Sequence, residues 1–244
     1  MPDHAKVYIS LVSAAGIAAM AYAFLDPLWS HDIFRLCTYV LLSLVASCLK
    51  LRLPGLTGTL SIGFVLVLVA ISEFTLPEAM LMACAGVLVQ CLWGAKTRPK
   101  AVQVLFSMAA VAVSVVLAYW CTGIIRFRLR ADSVSIILAV ATTVYFVANS
   151  LLVSGVLSLV KREPLGVVWQ QCYLYAFPYY LLGGAVAGLM AASTREFGWE
   201  LPLLIFPVMG LVYLFYRFYL ARMELQSVPA VPAATLQAVK VRSA

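Results

Sequence analysis

Long apolar stretches, separated by short polar or proline-containing loops, occupy most of the chain. A helix needs roughly 20 apolar residues to cross the hydrocarbon core of a bilayer, because each residue adds about 1.5 Å. The pattern therefore predicts an all-α fold, a polytopic transmembrane bundle of about eight helices. These helices are expected at residues 7–24, 33–49, 60–74, 76–93, 101–125, 133–160, 172–192 and 201–220.

Prolines and glycines mark several predicted helix boundaries. Leu53–Thr59 forms a Pro/Gly/Thr turn before the third helix, and Pro77 fits the first turn of the fourth. Pro178 is expected inside the seventh helix, after a short interfacial stretch at 165–171. We interpret residues 1–220 as a single transmembrane domain and residues 221–244, which contain two prolines, as a short disordered cytoplasmic tail.

The first apolar segment has two interpretations. Ala19-Met20-Ala21 resembles a signal-peptidase site, which would make the segment a cleaved signal peptide. Its 18 apolar residues exceed the usual signal core of about 7–15, which favours a retained helix. Its small residues then form a face for close helix packing; they are Ala14, Ala15, Ala18 and Ala19.

Composition supports the membrane interpretation and excludes other classes. Hydrophobic residues make up 64% of the chain and charged residues 11%, against about 25% charged in soluble domains. The net charge of +7 does not indicate nucleic-acid binding, because the basic residues stand at the ends of apolar stretches. The lipid bilayer is therefore the expected partner.

No motif for catalysis, metal binding or a cofactor is present, so neither a metal nor a cofactor is expected and no enzyme activity is predicted. The six cysteines have no metal-type spacing, and both histidines, His4 and His31, lie outside the predicted helices. The H-E-x-x-H, P-loop and Gly-x-Ser-x-Gly motifs are missing.

The charges predict that both chain ends face the cytoplasm. With the amino terminus inside, twelve of the 17 Lys and Arg residues fall on the cytoplasmic side, as the positive-inside rule requires. The exception is a group of outer arginines between the fifth and sixth helices, at Arg126, Arg128 and Arg130.

Four polar residues are candidate ligand-binding positions because polar groups inside hydrocarbon need a partner or a function. Asn149 lies in the middle of the sixth helix, where it either packs against another helix or contacts a ligand. Glu73 and Glu78 flank the predicted outer hairpin. They are either two solvated carboxylates or an outward-facing acidic site that pairs with Arg126 or the neighbouring arginines.

Two stretches carry a resemblance to a known class of protein. They are Leu51–Ser61, continuing to Pro77-Glu78 and Val89–Trp93, and Leu214–Glu224. They resemble the membrane-embedded sensor region that precedes GGDEF or HD-GYP signalling domains in bacteria. The resemblance implies a protein of the bacterial cytoplasmic membrane and a cytoplasmic signalling partner, although no output domain follows in this chain. It implies no particular ligand residues.

Three functions remain open at this point. The first is a ligand-sensing or scaffold module that passes a change in the bundle to a cytoplasmic partner. The second is a small-molecule transporter or capture subunit, because the hairpin at 60–93 is similar to the substrate-capturing subunits of energy-coupling-factor transporters. The third, a lipid-modifying enzyme, ranks last because paired Asp motifs and intramembrane histidines are missing.

Overall fold

The computed structural model describes residues 2–29, 32–51, 60–93, 95, 99–129, 133–172, 176–211, 213–215 and 218. The chain divides into two units, Met1–Leu204 and Ile205–Ala244. In the second unit, residues 205–211 and 213–215 are helical. The predicted tail at 221–244, the turn at 53–59 and Arg130 lie outside the described residues.

The first unit is built from helices. Two short antiparallel strands of two residues each lie between the second and third helices. Strands β1 and β2 pair Lys50 with Ser61 and Leu51 with Leu60. The elements in chain order are α1 Asp3–Leu25, α2 Ile33–Cys48, β1 Lys50–Leu51, β2 Leu60–Ser61, α3 Gly63–Glu73, α4 Leu76–Leu92, α5 Ala101–Leu129, α6 Val134–Lys161, α7 Leu165–Cys172, α8 Phe177–Phe197 and a 3-10 turn at Leu201–Leu204.

Three of the described helices are long and apolar enough to cross a membrane, judged by length and composition. They are α1, α5 over Ala101–Arg128, and α6. Helices α2, α3 and α4 are apolar but have only 16, 11 and 17 residues. The helical class is therefore confirmed, whereas eight spans and the orientation stay predictions.

Helix α3 lies at the centre of the first unit. It packs against α2, α4, α6 and α8, and every residue from Gly63 to Ser72 is buried. Helix α5 packs along α1, α4 and α6. The core therefore sits around a short apolar helix that other helices surround.

Close helix approach in α1 depends on a glycine rather than on the predicted alanines. A Cβ on Gly16 would overlap the Cα and Cβ of Ala109 on α5 and lie 2.8 Å from the Ala109 carbonyl oxygen. Ala14, Ala15 and Ala18 are exposed, so the predicted packing face was wrong. The buried face runs instead through Val12, Ser13 and Gly16, which share one side of the helix at three- and four-residue spacing.

Pro178 lies inside a helix, as predicted, but in its first turn rather than in its interior. Helix α8 begins at Phe177, whereas the sequence predicted a start near residue 172. A proline is tolerated in the first turn because the first N–H groups of a helix have no partner within the helix. The short stretch at 165–171 falls in a separate helix, α7, and its interfacial position stays a prediction.

Candidate functional site

A cavity of about 480 Å³ lies among α2, α3, α4, α5, α6 and α8. Its volume falls within the range of roughly 300–1,000 Å³ that is usual for small-molecule sites. Many of its lining side chains end in a hydroxyl or an amide group, although most of the bundle is apolar. These polar lining residues are Ser43, Ser47, Ser61, Gln90, Gln103, Ser107, Tyr145, Asn149 and Tyr180.

A group of serines lines the cavity where α2 meets α3 and α4. A Cβ on Gly63 would lie 2.6 Å from Ser47 Oγ, and one on Gly86 would lie 2.8 Å from the same atom. The two glycines therefore make room for the serine hydroxyls between closely packed helices. Ser43 donates a hydrogen bond to the Met82 carbonyl (3.3 Å).

Aromatic side chains form a second wall, which we call the aromatic wall and define as Phe64, Tyr145 and Tyr180. The Tyr180 ring centroid lies 4.7 Å from that of Phe64 and 6.4 Å from that of Tyr145. A Cβ on Gly183 would overlap the Phe64 ring, so this glycine lets α8 approach α3. The wall is thus held in place by helix packing rather than by a loop.

Asn149 is the one sequence candidate that lines the cavity. Its amide lies within hydrogen-bonding reach of the Tyr180 hydroxyl, which connects α6 to α8. Gln103, a further amide in the lining, accepts the backbone N–H of Lys100 (3.0 Å). The only charged side chain among the described lining residues belongs to Lys50, which donates to the Trp93 carbonyl.

Glu73 lies outside the cavity, at the last residue of α3, where it forms an ion cluster with Arg35 of α2 and Arg195 of α8. Its carboxylate oxygens lie 3.6 Å from Arg35 Nη2 and 3.7 Å from Arg195 Nε. The Arg35 guanidinium also sits over the Phe74 ring, 4.6 Å from its centroid, an arrangement that favours a cation. The cluster therefore connects three helices at one end of the unit.

Arg126 adds a third guanidinium close to this cluster. It donates a hydrogen bond to the Ser72 carbonyl (2.9 Å), one residue before Glu73. The Glu73 side chain is only 11% exposed, so these guanidinium groups compensate a carboxylate that is largely removed from water.

Glu78 has a structural position that sequence reasoning did not anticipate. It is fully buried, and its carboxylate accepts the backbone N–H of Thr75 (3.0 Å) at the start of α4. This is the role of the glutamate in a capping box. With Glu73 only 11% exposed, the interpretation of the pair as two solvated carboxylates was wrong.

The serines of the cavity, together with Phe64 and Tyr145, were missed because their types are common in any apolar helix. The available signals were the i, i+4 spacing of Ser43 and Ser47 on α2 and the nearby glycines at 63 and 86. Among the described residues, no group of three or more His, Cys, Asp or Glu side chains is placed to hold a metal ion.

Comparison of the chain with protein-family models, with curated proteins and with solved structures found no match.

Proposed function

We propose that this chain is a multi-pass protein of the bacterial cytoplasmic membrane that binds a small molecule within its helical bundle. The observation that carries the proposal is the cavity lined by amide and hydroxyl groups. Polar groups are costly in an apolar bundle unless they have partners, and a cluster of them around one cavity is typical of a binding site.

In this proposal the protein acts as a sensor or scaffold. Binding at Asn149 and Tyr180 would alter the packing of α6 against α8 and pass that change to a cytoplasmic signalling partner. The sequence resemblance to bacterial sensor regions and the basic residues expected on the cytoplasmic side support this direction of signalling. Affinity purification from native membranes should recover such a partner, and repeated failure to recover one would contradict the sensor role.

The binding site is tested by replacing Asn149. We expect native mass spectrometry of the purified protein to detect a bound small molecule, with occupancy about tenfold lower in Asn149→Leu. A buried partner left without its hydrogen bond costs about 1–3 kcal/mol, and 1.4 kcal/mol corresponds to a factor of ten. The matched control is Thr143→Val, on the exposed side of the same helix. Equal occupancy in both variants would contradict the site.

A transporter or capture subunit is the second candidate. The cavity is lined by the first half of α3, through Gly63, Phe64 and Val67, whereas the ion cluster lies at the other end of that helix, at Glu73. Such a cluster could close one end of a pathway through the bundle. Uptake into proteoliposomes of the molecule found by mass spectrometry would favour transport over sensing.

A further inference from the structure

Several hydroxyl groups line the cavity. Tyr145 is 3% exposed, and its side chain is part of the lining. Ser47 is equally buried, and Ser107 of the neighbouring α5 also lines the cavity. A hydroxyl can both donate and accept a hydrogen bond, so these groups provide donors and acceptors for a bound molecule.

The charges of the lining restrict the chemistry of that molecule. No Asp or Glu is among the described lining residues, so a cation would lose its hydration without gaining a counter-charge. The only described cation in the lining, Lys50, donates to the Trp93 carbonyl at an exposed position, where water and salt screen its charge. The surroundings therefore favour a ligand without net charge.

The aromatic wall restricts its shape. Aromatic side chains interact best with other rings, at centroid separations of about 4.5–7 Å. Phe64, Tyr145 and Tyr180 are all buried, and Tyr180 packs against each of the other two rings. Gly183 of α8 lies directly against the Phe64 ring and leaves no space on that side. A flat ring system can therefore lie against this wall without displacing it.

We propose that the cavity binds an uncharged planar ring compound that carries hydrogen-bond donors and acceptors along one edge. Its ring lies against the aromatic wall, and its polar edge faces Asn149, Tyr145 and the serine hydroxyls. An asparagine amide offers both a donor and an acceptor, so it complements an edge of amide or imide type. This inference rests on the proposed binding function and adds the class of ligand to it.

Equilibrium dialysis against the whole chain in lipid nanodiscs tests the class, with empty nanodiscs to subtract partition into lipid. Lumichrome and adenine serve as uncharged planar probes, 2-naphthoate as a planar anion, and N-cyclohexylacetamide as an uncharged probe that is not planar. We expect saturable binding of at least one of the first two probes and at least tenfold weaker binding of the others. Failure of both planar probes, or stronger binding of the anion or the cyclohexyl compound, would overturn the proposal.

Conservative substitutions of residues that line the cavity test whether the planar probe binds there. Tyr145→Phe keeps the ring and removes the hydroxyl, so the planar probe should bind about five- to tenfold more weakly. Ser107→Ala provides a second hydroxyl deletion, and Phe64→Leu should weaken binding about two- to tenfold through loss of the ring contact. Tyr22→Phe, on an exposed position of α1, is the matched control and should bind as the unaltered protein does. Unchanged affinity in all three cavity variants would overturn the assignment.

These results separate the two proposals. A bound molecule that is lost in Asn149→Leu but is aliphatic or charged would overturn only the ligand class. A chain whose occupancy does not depend on Asn149 would overturn the binding function itself.

Discussion

Replacing Glu73 by leucine is expected to lower the free energy of unfolding by about 2–4 kcal/mol. Removing one partner of a buried ion pair costs about 3–5 kcal/mol because the remaining charge is uncompensated, and partial exposure of the arginines reduces that figure. Arg35 is 22% exposed and loses its nearest carboxylate in this variant, whereas Arg195, at 45%, is better solvated. Titration of the purified protein from mild detergent into sodium dodecyl sulfate, followed by circular dichroism, measures the change.

The double variant Glu73→Leu, Arg35→Leu distinguishes an uncompensated charge from a simple loss of packing. Since replacing a buried ion pair by apolar side chains is often neutral or stabilising, removal of both partners should recover most of the lost stability. The control is the exposed Lys6–Asp3 pair of α1, where Asp3→Asn should have little effect. If the double variant is less stable than Glu73→Leu alone, the cluster stabilises through packing rather than through charge compensation.

Replacing Gly16 by alanine should lower the free energy of unfolding by about 1–3 kcal/mol, the usual cost of forcing an extra group into a packed interface. The added Cβ would overlap the backbone of Ala109, so α1 and α5 would have to move apart along their contact. The same detergent titration measures this effect, and α1 should also become more accessible to protease.

Gly123→Ala is the matched control because a Cβ there meets no atom within 4 Å. It should leave stability unchanged or raise it slightly, since alanine favours helix over glycine by up to about 1 kcal/mol. Adding Ala109→Gly to the Gly16→Ala variant should restore part of the loss, because it removes one of the overlapping atoms. Equal effects of Gly16→Ala and Gly123→Ala would contradict a close approach of α1 to α5.

The apolar pattern predicts the positions of the helices better than it predicts which residues line the cavity. The predicted starts at residues 33, 76 and 101 coincide with those of α2, α4 and α5, because a polar residue, a threonine and a proline–lysine pair precede them. Hydropathy could not show that α3 has only 11 helical residues, because the ladder of β1 and β2 takes up the start of that apolar stretch.

The four candidate ligand-binding residues lie partly in the cavity and partly outside it. A single sequence does not show this, because it does not show which helices pack together. Asn149 lines the cavity, while Glu73 and Arg126 lie at the other end of α3 and Glu78 accepts the Thr75 N–H at the start of α4. Polarity within an apolar helix identifies each residue as unusual, but which helices pack together decides what it faces. Tyr145 and Ser47 cannot be singled out from the sequence, because tyrosines and serines also occur at many positions that do not line the cavity.

The short, enclosed α3 has a consequence for how the chain is made. Eleven residues give a helix of about 17 Å, well below the ~30 Å of hydrocarbon that a segment must cross to be inserted alone. In the proposed membrane setting it therefore enters together with α4, as one hairpin across the Phe74–Thr75 link. Its neighbours α6 and α8 begin at Val134 and Phe177 and are synthesised several seconds later, at roughly 5–20 residues per second. A chain that ends before α8 therefore leaves the buried face of α3 without the helix that packs on it in the full structure.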